Sequence, residues 1–238
     1  MVRKDVRVSI QILPVHGIPE VAPGDDLSAL IVDGLKSSNI DLADRDIVVV
    51  THKIVSKAEG RIEPVADDRA YRDLAEREAR SIVRRRGDLL IAQTEHGFIC
   101  ANAGVDRSNV ADGYAVLLPI DSDRSAHRIR KQLEQATGAA VAVVITDTFG
   151  RPWRRGLVDV AIGVSGLPAI LDLRDQTDSH GRPMSVTEIA VVDEVAAAAD
   201  LAMGKADAIP AAVVRGLDLT GEGRATDLVR PPEEDLFR

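Results

Sequence analysis

Apolar and polar positions alternate with a period of two over residues 6–13, where each even position is a valine or an isoleucine. This pattern predicts a half-buried strand. The apolar runs at residues 46–51 and 139–145 predict buried strands, and we expect the second run to end on residues 146–148 in a polar turn. Further short strands are predicted over residues 88–93, 97–102, 113–120, 184–192 and 209–216.

Apolar positions with helical spacing predict four helices. They cover residues 27–37, 67–86, 122–138 and 193–204. Asp25 or Asp26 can cap the first helix, and glycines close the others. Helices and strands alternate irregularly and hairpin-like pairs are mixed among them, so the pattern predicts an α+β fold rather than a doubly wound parallel sheet. Because no repeat or linker interrupts the sequence, we expect residues 1–238 to form a single unit.

Composition and charge restrict the classes of partner. The 238 residues can build a core that needs no disulfide, and the single Cys100 cannot form one within the chain. A net charge of -8 and an aromatic content of 3% argue against general binding to nucleic acid. No apolar signal segment opens the sequence, and the longest apolar runs are too short to span a membrane. We therefore expect a cytoplasmic protein that binds neither nucleic acid nor membrane.

Short polar residues are concentrated after the predicted strands. Asp147 is flanked by threonines, and Asp106 is followed closely by Asn109. Mg²⁺ is commonly bound by one or two carboxylates together with substrate phosphates. Asp106 and Asp147 are candidates for such a pair, with Thr148 and Asn109 as neutral helpers. Taken alone, each segment is also compatible with a turn in which the Asp or Asn side chain bonds to its own backbone, and such turns are common.

Basic residues follow two of the predicted strands. His52, Lys53 and Lys57 come after the apolar run at 46–51, and arginines follow Asp147 in the segment RPWRRG. Lysine and arginine can both bind phosphate oxygens, but either set is also compatible with a solvated surface. The sequence contains no Walker A motif, no GxGxxG and no GxSxG, and its histidines and cysteine give little support for a zinc site.

Five segments in register resemble the coenzyme F420-0:γ-glutamyl ligase family. The segments are ILPVHGIPEVAPGDDL, DIVVVTHKIVSKAEGRI, ANAGVDRSNV, VVITDTFGRPWRRGLVDVAIGVSGL and VTEIAVVDEVAAAADLAMGKADAIPAAVVRG. The resemblance covers essentially the whole chain. It is closest to the free-standing ligase, which is related to the N-terminal domain of the longer bifunctional F420 synthases, and we expect this chain to be of the free-standing form.

The resemblance implies a reaction and its partners. Such enzymes join L-glutamate to the terminal carboxylate of coenzyme F420-0 at the expense of GTP, through an acyl phosphate, and add further γ-linked glutamates. They use Mg²⁺ or Mn²⁺ at two sites and are stimulated by K⁺. The family has its own α+β fold of two subdomains and forms an intertwined homodimer.

The resemblance also implies roles for individual residues. Asp106 and Asp147 match the metal-binding carboxylates, which we expect to be catalytic, and Thr148 matches a ligand of the second metal. The residues implied in nucleotide binding are Ile18, Pro19, Glu20, Val21, His52, Lys57, Asn109, Met203, Gly204, Lys205, Ala206, Asp207, Ala208, Ile209 and Pro210. The chain departs from the family at Lys205, where many relatives have a Glu or Gln that helps to hold the second metal. An ammonium group cannot ligate a metal unless it is deprotonated.

Two other functions are compatible with the same residues. A metal-dependent nucleotide phosphohydrolase would use the same two aspartates as ligands. A non-catalytic subunit that binds F420 or a nucleotide would be consistent with the loss of a metal ligand at Lys205.

Overall fold

The structure is a computed structural model that describes residues 9–174 and 176–235. Its helices are α1 (Leu27–Ser37), α2 (His52–Ala58), α3 (Asp68–Arg77), α4 (Ser122–Thr137) and α5 (Val191–Met203). Its strands are β1 (Gln11–Pro14), β2 (Ile47–Thr51), β3 (Ile62–Pro64), β4 (Ala79–Arg86), β5 (Leu89–Thr94), β6 (Ile99–Ala101), β7 (Tyr114–Val116), β8 (Ala142–Arg151), β9 (Arg154–Ser165), β10 (Leu171–Asp172), β11 (Glu188–Ile189) and β12 (Ala211–Arg215). The predicted α+β class is confirmed.

A five-stranded sheet in the order β1-β12-β2-β8-β9 forms the centre of the larger core. Strands β2 and β8 run parallel, and the other neighbouring strands are antiparallel. The valine and isoleucine side chains of β2, β12 and the first half of β8 are buried, as expected for runs without polar positions. Helices α4 and α5 pack on this sheet, and α1 packs against α4.

A smaller core lies around the three-stranded sheet β4-β5-β6 and the strand pair β3-β7. It is built from Leu74 and Ala75 of α3 together with buried apolar residues such as Leu90 and Leu117. Strands β4 and β5 expose apolar side chains, among them Ile82 and Leu89.

Several predicted elements are confirmed at their predicted positions. Helix α1 covers the predicted residues, and Asp26 caps it by accepting hydrogen bonds from the backbone N–H groups of Ser28 and Ala29. Helix α4 and strands β2, β5, β6 and β12 also form where they are predicted. The strands predicted over 113–120 and 184–192 are shorter, because only Tyr114–Val116 and Glu188–Ile189 form ladders. The strand predicted over 6–13 lies partly outside the described residues; within them, β1 begins at Gln11.

The helix predicted over residues 67–86 is wrong in its second half. Helix α3 ends at Arg77, and residues 79–86 form strand β4, which pairs with β5 across a turn at Gly87. Glycine suits this turn because its φ is +58°. The sequence of β4 has no strong local preference, and antiparallel pairing with β5 decides its conformation.

The polar turn predicted after residue 145 is also wrong. Strand β8 continues to Arg151 and forms a long hairpin with β9, a strand that the sequence pattern does not predict. In this ladder Thr148 lies opposite Asp159, and Asp147 lies opposite Val160. Side chains alternate between the two faces of a strand, so the polar segment points its threonines to one face and Asp147 to the other.

No helix in the described part of the chain combines the length and apolar character needed to cross a membrane.

Candidate active site

A cleft of about 250 Å³ opens beside the end of β2. Strand β2 ends at Thr51, which lies beside Thr146 of the parallel strand β8, and α2 begins at the next residue. The cleft is completed by the residues 18–20 and by the loop that follows α5. Ligands commonly bind where parallel strands end, because loops and helix starts meet there.

The cleft brings together most of the residues that the sequence resemblance implies. Those on its lining are Ile18, Pro19, Glu20, His52, Lys57, Asn109, Asp147, Thr148, Gly204, Lys205, Ala206, Ala208, Ile209 and Pro210. The others lie elsewhere: Val21 and Met203 are buried in the core, Asp207 is exposed, and Asp106 contacts the lining residue Lys53. The arginines of the RPWRRG segment lie at the exposed tip of the β8–β9 hairpin, outside the cleft lining.

His52 is almost fully buried beside Asp147. His52 is the first residue of α2, and only 1% of it is exposed. Its Nδ1 atom lies 3.4 Å from the hydroxyl oxygen of Ser56. Nε2 lies 3.2 Å from Oδ1 of Asp147. The two atoms are not aligned as a hydrogen bond, and Nε2 has no hydrogen-bond partner among the described residues. A buried nitrogen without a partner is unusual in a folded protein and marks a position where a ligand or ion can bind.

Asp106 is held by Lys53 and by its own loop. Lys53 Nζ lies 2.7 Å from Oδ2 of Asp106, and the backbone N–H of Ser108 donates to Oδ1 at 2.6 Å. Burial acts to raise the pKa of this carboxyl, but the hydrogen bonds from Lys53 and Ser108 lower it by more than burial raises it. The pKa therefore lies below its usual value. Asp106 is therefore ionised at neutral pH. The hydrogen bond from Ser108 closes the local turn that the sequence also allowed at Asp106. Asp106 makes this bond and the contact with Lys53 at the same time.

Asp159 is a site residue that the sequence analysis missed. It is only 2% exposed, and it accepts hydrogen bonds from the hydroxyls of Thr146 at 3.1 Å and Thr148 at 2.6 Å. Lys205 Nζ lies 2.7 Å from Oδ1 of the same carboxylate. One signal in the sequence could have identified it, a single Asp within the apolar segment LVDVAIG. A carboxylate buried in such a segment requires hydrogen bonds and a counter-charge.

Lys205 also contacts a second carboxylate. Its Nζ atom lies 2.8 Å from Oδ1 of Asp200, at the end of α5, and 2.7 Å from the hydroxyl of Thr148. Burial lowers the pKa of this ammonium, but Asp159 and Asp200 raise it more, so the pKa lies above its ordinary value. Lys205 is therefore protonated at neutral pH.

A third lysine of the cleft, Lys57, is buried. Only 3% of the residue is exposed, and its ammonium contacts the carboxylate of Glu20, whose side chain is mostly exposed. With Lys53 and Lys205 it places three cationic groups on a cleft that also contains Asp147 and Asp159. Such a mixture of charges suits an anionic ligand that binds together with a cation.

The donor groups fit one divalent cation better than two. Among the described residues, no three His, Cys, Asp or Glu side chains form a ready metal site. Mg²⁺ needs only one or two carboxylates when substrate phosphates supply the other oxygens, so Asp147 and the unpartnered nitrogen of His52 fit one cation. At Thr148 the ammonium of Lys205 already contacts the hydroxyl and the nearby carboxylates, and a second divalent ion does not fit this arrangement.

The fold and cleft thus define an α+β protein with a site suited to phosphate-bearing ligands. The sequence model described as F420-0:Gamma-glutamyl ligase matches residues 17–216, and the chain belongs to that family. The resemblance inferred from the five segments is therefore confirmed.

Three similar curated proteins carry the name Coenzyme F420:L-glutamate ligase. The protein of Methanothermobacter thermautotrophicus is 44% identical over 251 residues, which cover 97% of this chain and 100% of the relative. The protein of Methanopyrus kandleri is 40% identical over 252 residues, covering 97% of this chain and 98% of the relative. The protein of Archaeoglobus fulgidus is 40% identical over 245 residues, covering 96% of each.

Proposed function

We propose that this protein is a ligase of coenzyme F420 biosynthesis, which joins L-glutamate to the terminal carboxylate of F420-0 with GTP as the energy source. Its family and the names of its relatives support the ligase activity. The observation that carries the proposal is the cleft, which brings residues from five other segments of the chain together with Asp147 and its neighbours. Addition of further γ-linked glutamates belongs to the same proposal.

The proposed reaction has two steps. A carboxylate is a poor electrophile, so the γ-phosphoryl group of GTP is first transferred to a carboxylate oxygen of F420-0, which gives an acyl phosphate and GDP. The free amine of glutamate then attacks the acyl carbon, phosphate leaves, and an amide bond forms as the amine loses its proton. Holding two anionic reactants in line supplies a large part of the rate of such transfers.

The residues of the cleft have distinct roles in this proposal. Lys53 and Lys57 are placed to bind phosphate oxygens, and the loop at residues 204–210 with residues 18–20 would hold the nucleotide. Asp147 and His52 would hold Mg²⁺ or Mn²⁺. When bound, that cation neutralises charge on the phosphate oxygens. Asp106 holds Lys53 in place through the 2.7 Å ion pair, and its implied role as a second carboxylate ligand of the same cation stays a prediction.

The proposal includes an assembly and an environment. Exposed apolar side chains of strands β4 and β5, among them Ile82, Val83 and Leu89, support a homodimer that covers these strands. Stimulation by K⁺ and a cytoplasmic location are proposed from the family resemblance.

Mass spectrometry of the products tests the function directly. The full chain is incubated with F420-0, GTP, Mn²⁺ and L-glutamate, and we expect an F420 product heavier by a glutamyl residue, together with GDP. Asp147→Asn should abolish both products while its circular dichroism spectrum stays unchanged. GTP hydrolysis that does not depend on F420-0 and glutamate, without a glutamyl product, would favour the phosphohydrolase. Binding of GTP without any turnover would favour a non-catalytic subunit.

A further inference from the structure

The ammonium group of Lys205 lies where a metal ion would be expected between two carboxylates. Its Nζ atom contacts three oxygens, from Asp159, Asp200 and Thr148, at 2.7, 2.8 and 2.7 Å. We propose that this ammonium is a built-in cation that takes the place of one inorganic ion, so that the protein binds one divalent cation per chain rather than two.

The donor set supports this assignment because it is the kind that binds a hard cation. Two carboxylates and a hydroxyl are typical ligands of Mg²⁺ and Mn²⁺. Asp159 is buried, and a buried carboxylate needs a positive partner. Among the described residues, Lys205 is the only cationic side chain that contacts it. The ammonium and a metal ion cannot occupy the same space, so Lys205 excludes the ion. It also supplies the positive charge that Asp159 would otherwise receive from the ion.

The position of Lys205 in the chain keeps the ammonium in place. Asp200 lies in the last turn of α5, and Lys205 follows two residues after the end of that helix. The ion pair between them is therefore local and does not depend on a bound substrate. Thr148 and Asp159 are themselves joined by a hydrogen bond across the β8–β9 ladder. Two of the three oxygens are thus fixed relative to each other before any ligand binds, and Asp200 completes the set from the end of α5.

An ammonium group in place of a metal ion changes the charge of the site as well as its metal content. An ammonium contributes one positive charge where a divalent ion contributes two, and its position is set by the side chain rather than by the metal concentration. We therefore expect the site at Lys205 to stay filled when divalent ions are removed. The cation near Asp147, which has no such substitute, should be lost.

Counting bound Mn²⁺ tests the proposal. Free Mn²⁺ is measured by electron paramagnetic resonance during titration of the full chain saturated with GDP, and titration of GDP alone gives the correction. We expect one Mn²⁺ per wild-type chain and two per chain in Lys205→Gln and Lys205→Met, which keep the oxygen donors but lack the ammonium. Lys205→Arg keeps a cation and should bind one. Two ions in the wild type, or no gain in both neutral variants, would overturn the proposal.

Thermal unfolding gives a second readout that needs no nucleotide. Without metal, Lys205→Gln and Lys205→Met should unfold at a lower temperature than the wild type, because Asp159 loses its counter-charge. Added Mn²⁺ should raise their Tm more than it raises that of the wild type, and an equal rise in all three would contradict the proposal. The inference rests on the proposed use of divalent cations, but its readouts are binding and stability. The binding and stability results can therefore contradict the role of Lys205 even if the protein is shown to ligate glutamate. They can equally support that role if no ligation is found.

Discussion

Nε2 of His52 lies 3.2 Å from Oδ1 of Asp147, and both residues line the cleft. Two ligands of one metal ion at bond lengths of about 2.1 Å are separated by roughly 3 Å when they lie at right angles. The observed separation therefore suits joint ligation by an imidazole nitrogen and a carboxylate oxygen. Imidazole is a better ligand for transition metals than for Mg²⁺, which prefers oxygen.

Replacing this imidazole should change the preference for the metal. We expect His52→Ser to weaken Mn²⁺ binding by about tenfold or more and Mg²⁺ binding by less, because one nitrogen ligand is lost. Isothermal titration measures both affinities. Pulsed paramagnetic resonance of bound Mn²⁺ should show coupling to a ¹⁴N nucleus in the wild type and lose it in the variant.

His127→Ser is the matched control, because His127 lies outside this cleft and contacts Ser165. It should leave both affinities and the nitrogen coupling unchanged. A wild-type spectrum without nitrogen coupling would show that His52 does not ligate the ion, whatever its effect on activity.

The sequence predicts best the elements whose conformation is set locally. The apolar run of β2, and the cap at Asp26 with the apolar spacing of α1, give these elements their correct bounds. Strand β4 has no such local signal. Its arginines suit a helix or a strand equally well, and only the pairing with β5 distinguishes the two.

The same distinction explains which site residues were found. Asp106 and Asp147 stand in recognisable motifs, so the sequence predicts them, although their metal-binding role remains a prediction. Asp159 belongs to the site only because the ladder places it opposite Thr148. The register between two strands is a non-local property, and a pattern of single residues does not contain it.

The only cysteine should be chemically inert in the folded protein. Cys100 is 6% exposed, and burial, together with the nearby charge of Asp147, raises the pKa of its thiol to about 12. The thiolate is the reactive form, so at pH 8 we expect an aromatic disulfide reagent to react slowly with native protein and rapidly in guanidinium chloride. The unfolded thiol loses its proton near pH 9, so this group's contribution to stability is complete below pH 9 and declines as the pH rises toward 12. Rapid reaction of the native protein at pH 8 would contradict the burial.

The ion pair between Asp46 and Arg215 should make a large contribution to stability. Asp46 is 1% exposed, and its carboxylate accepts hydrogen bonds from Arg215 Nε at 2.8 Å and from the backbone of Ala43 at 2.9 Å. Asp46→Ala leaves these donors without their acceptor, and we expect a loss of about 3–5 kcal/mol in the free energy of unfolding. Asp33→Ala breaks an exposed pair with Lys36 and should cost less than about 1 kcal/mol. Urea unfolding of the two variants measures the difference, and similar losses would show that burial does not strengthen the Asp46 pair.

Packing between α4 and β9 requires a glycine at position 163. A Cβ atom at Gly163 would lie 2.5 Å from the backbone oxygen of Ser122, the first residue of α4, whereas one at Gly150 would meet nothing within 4 Å. Neither glycine has a positive φ, so an alanine at either position adds a methyl group without backbone strain. Gly163→Ala must push the start of α4 away from the sheet and should lower the free energy of unfolding by about 1–3 kcal/mol. Gly150→Ala should leave it unchanged or raise it by a few tenths of a kcal/mol. Urea unfolding of both variants checks this order. Equal stabilities would mean that the start of α4 can shift at little cost, and α4 would then not be held rigidly against β9.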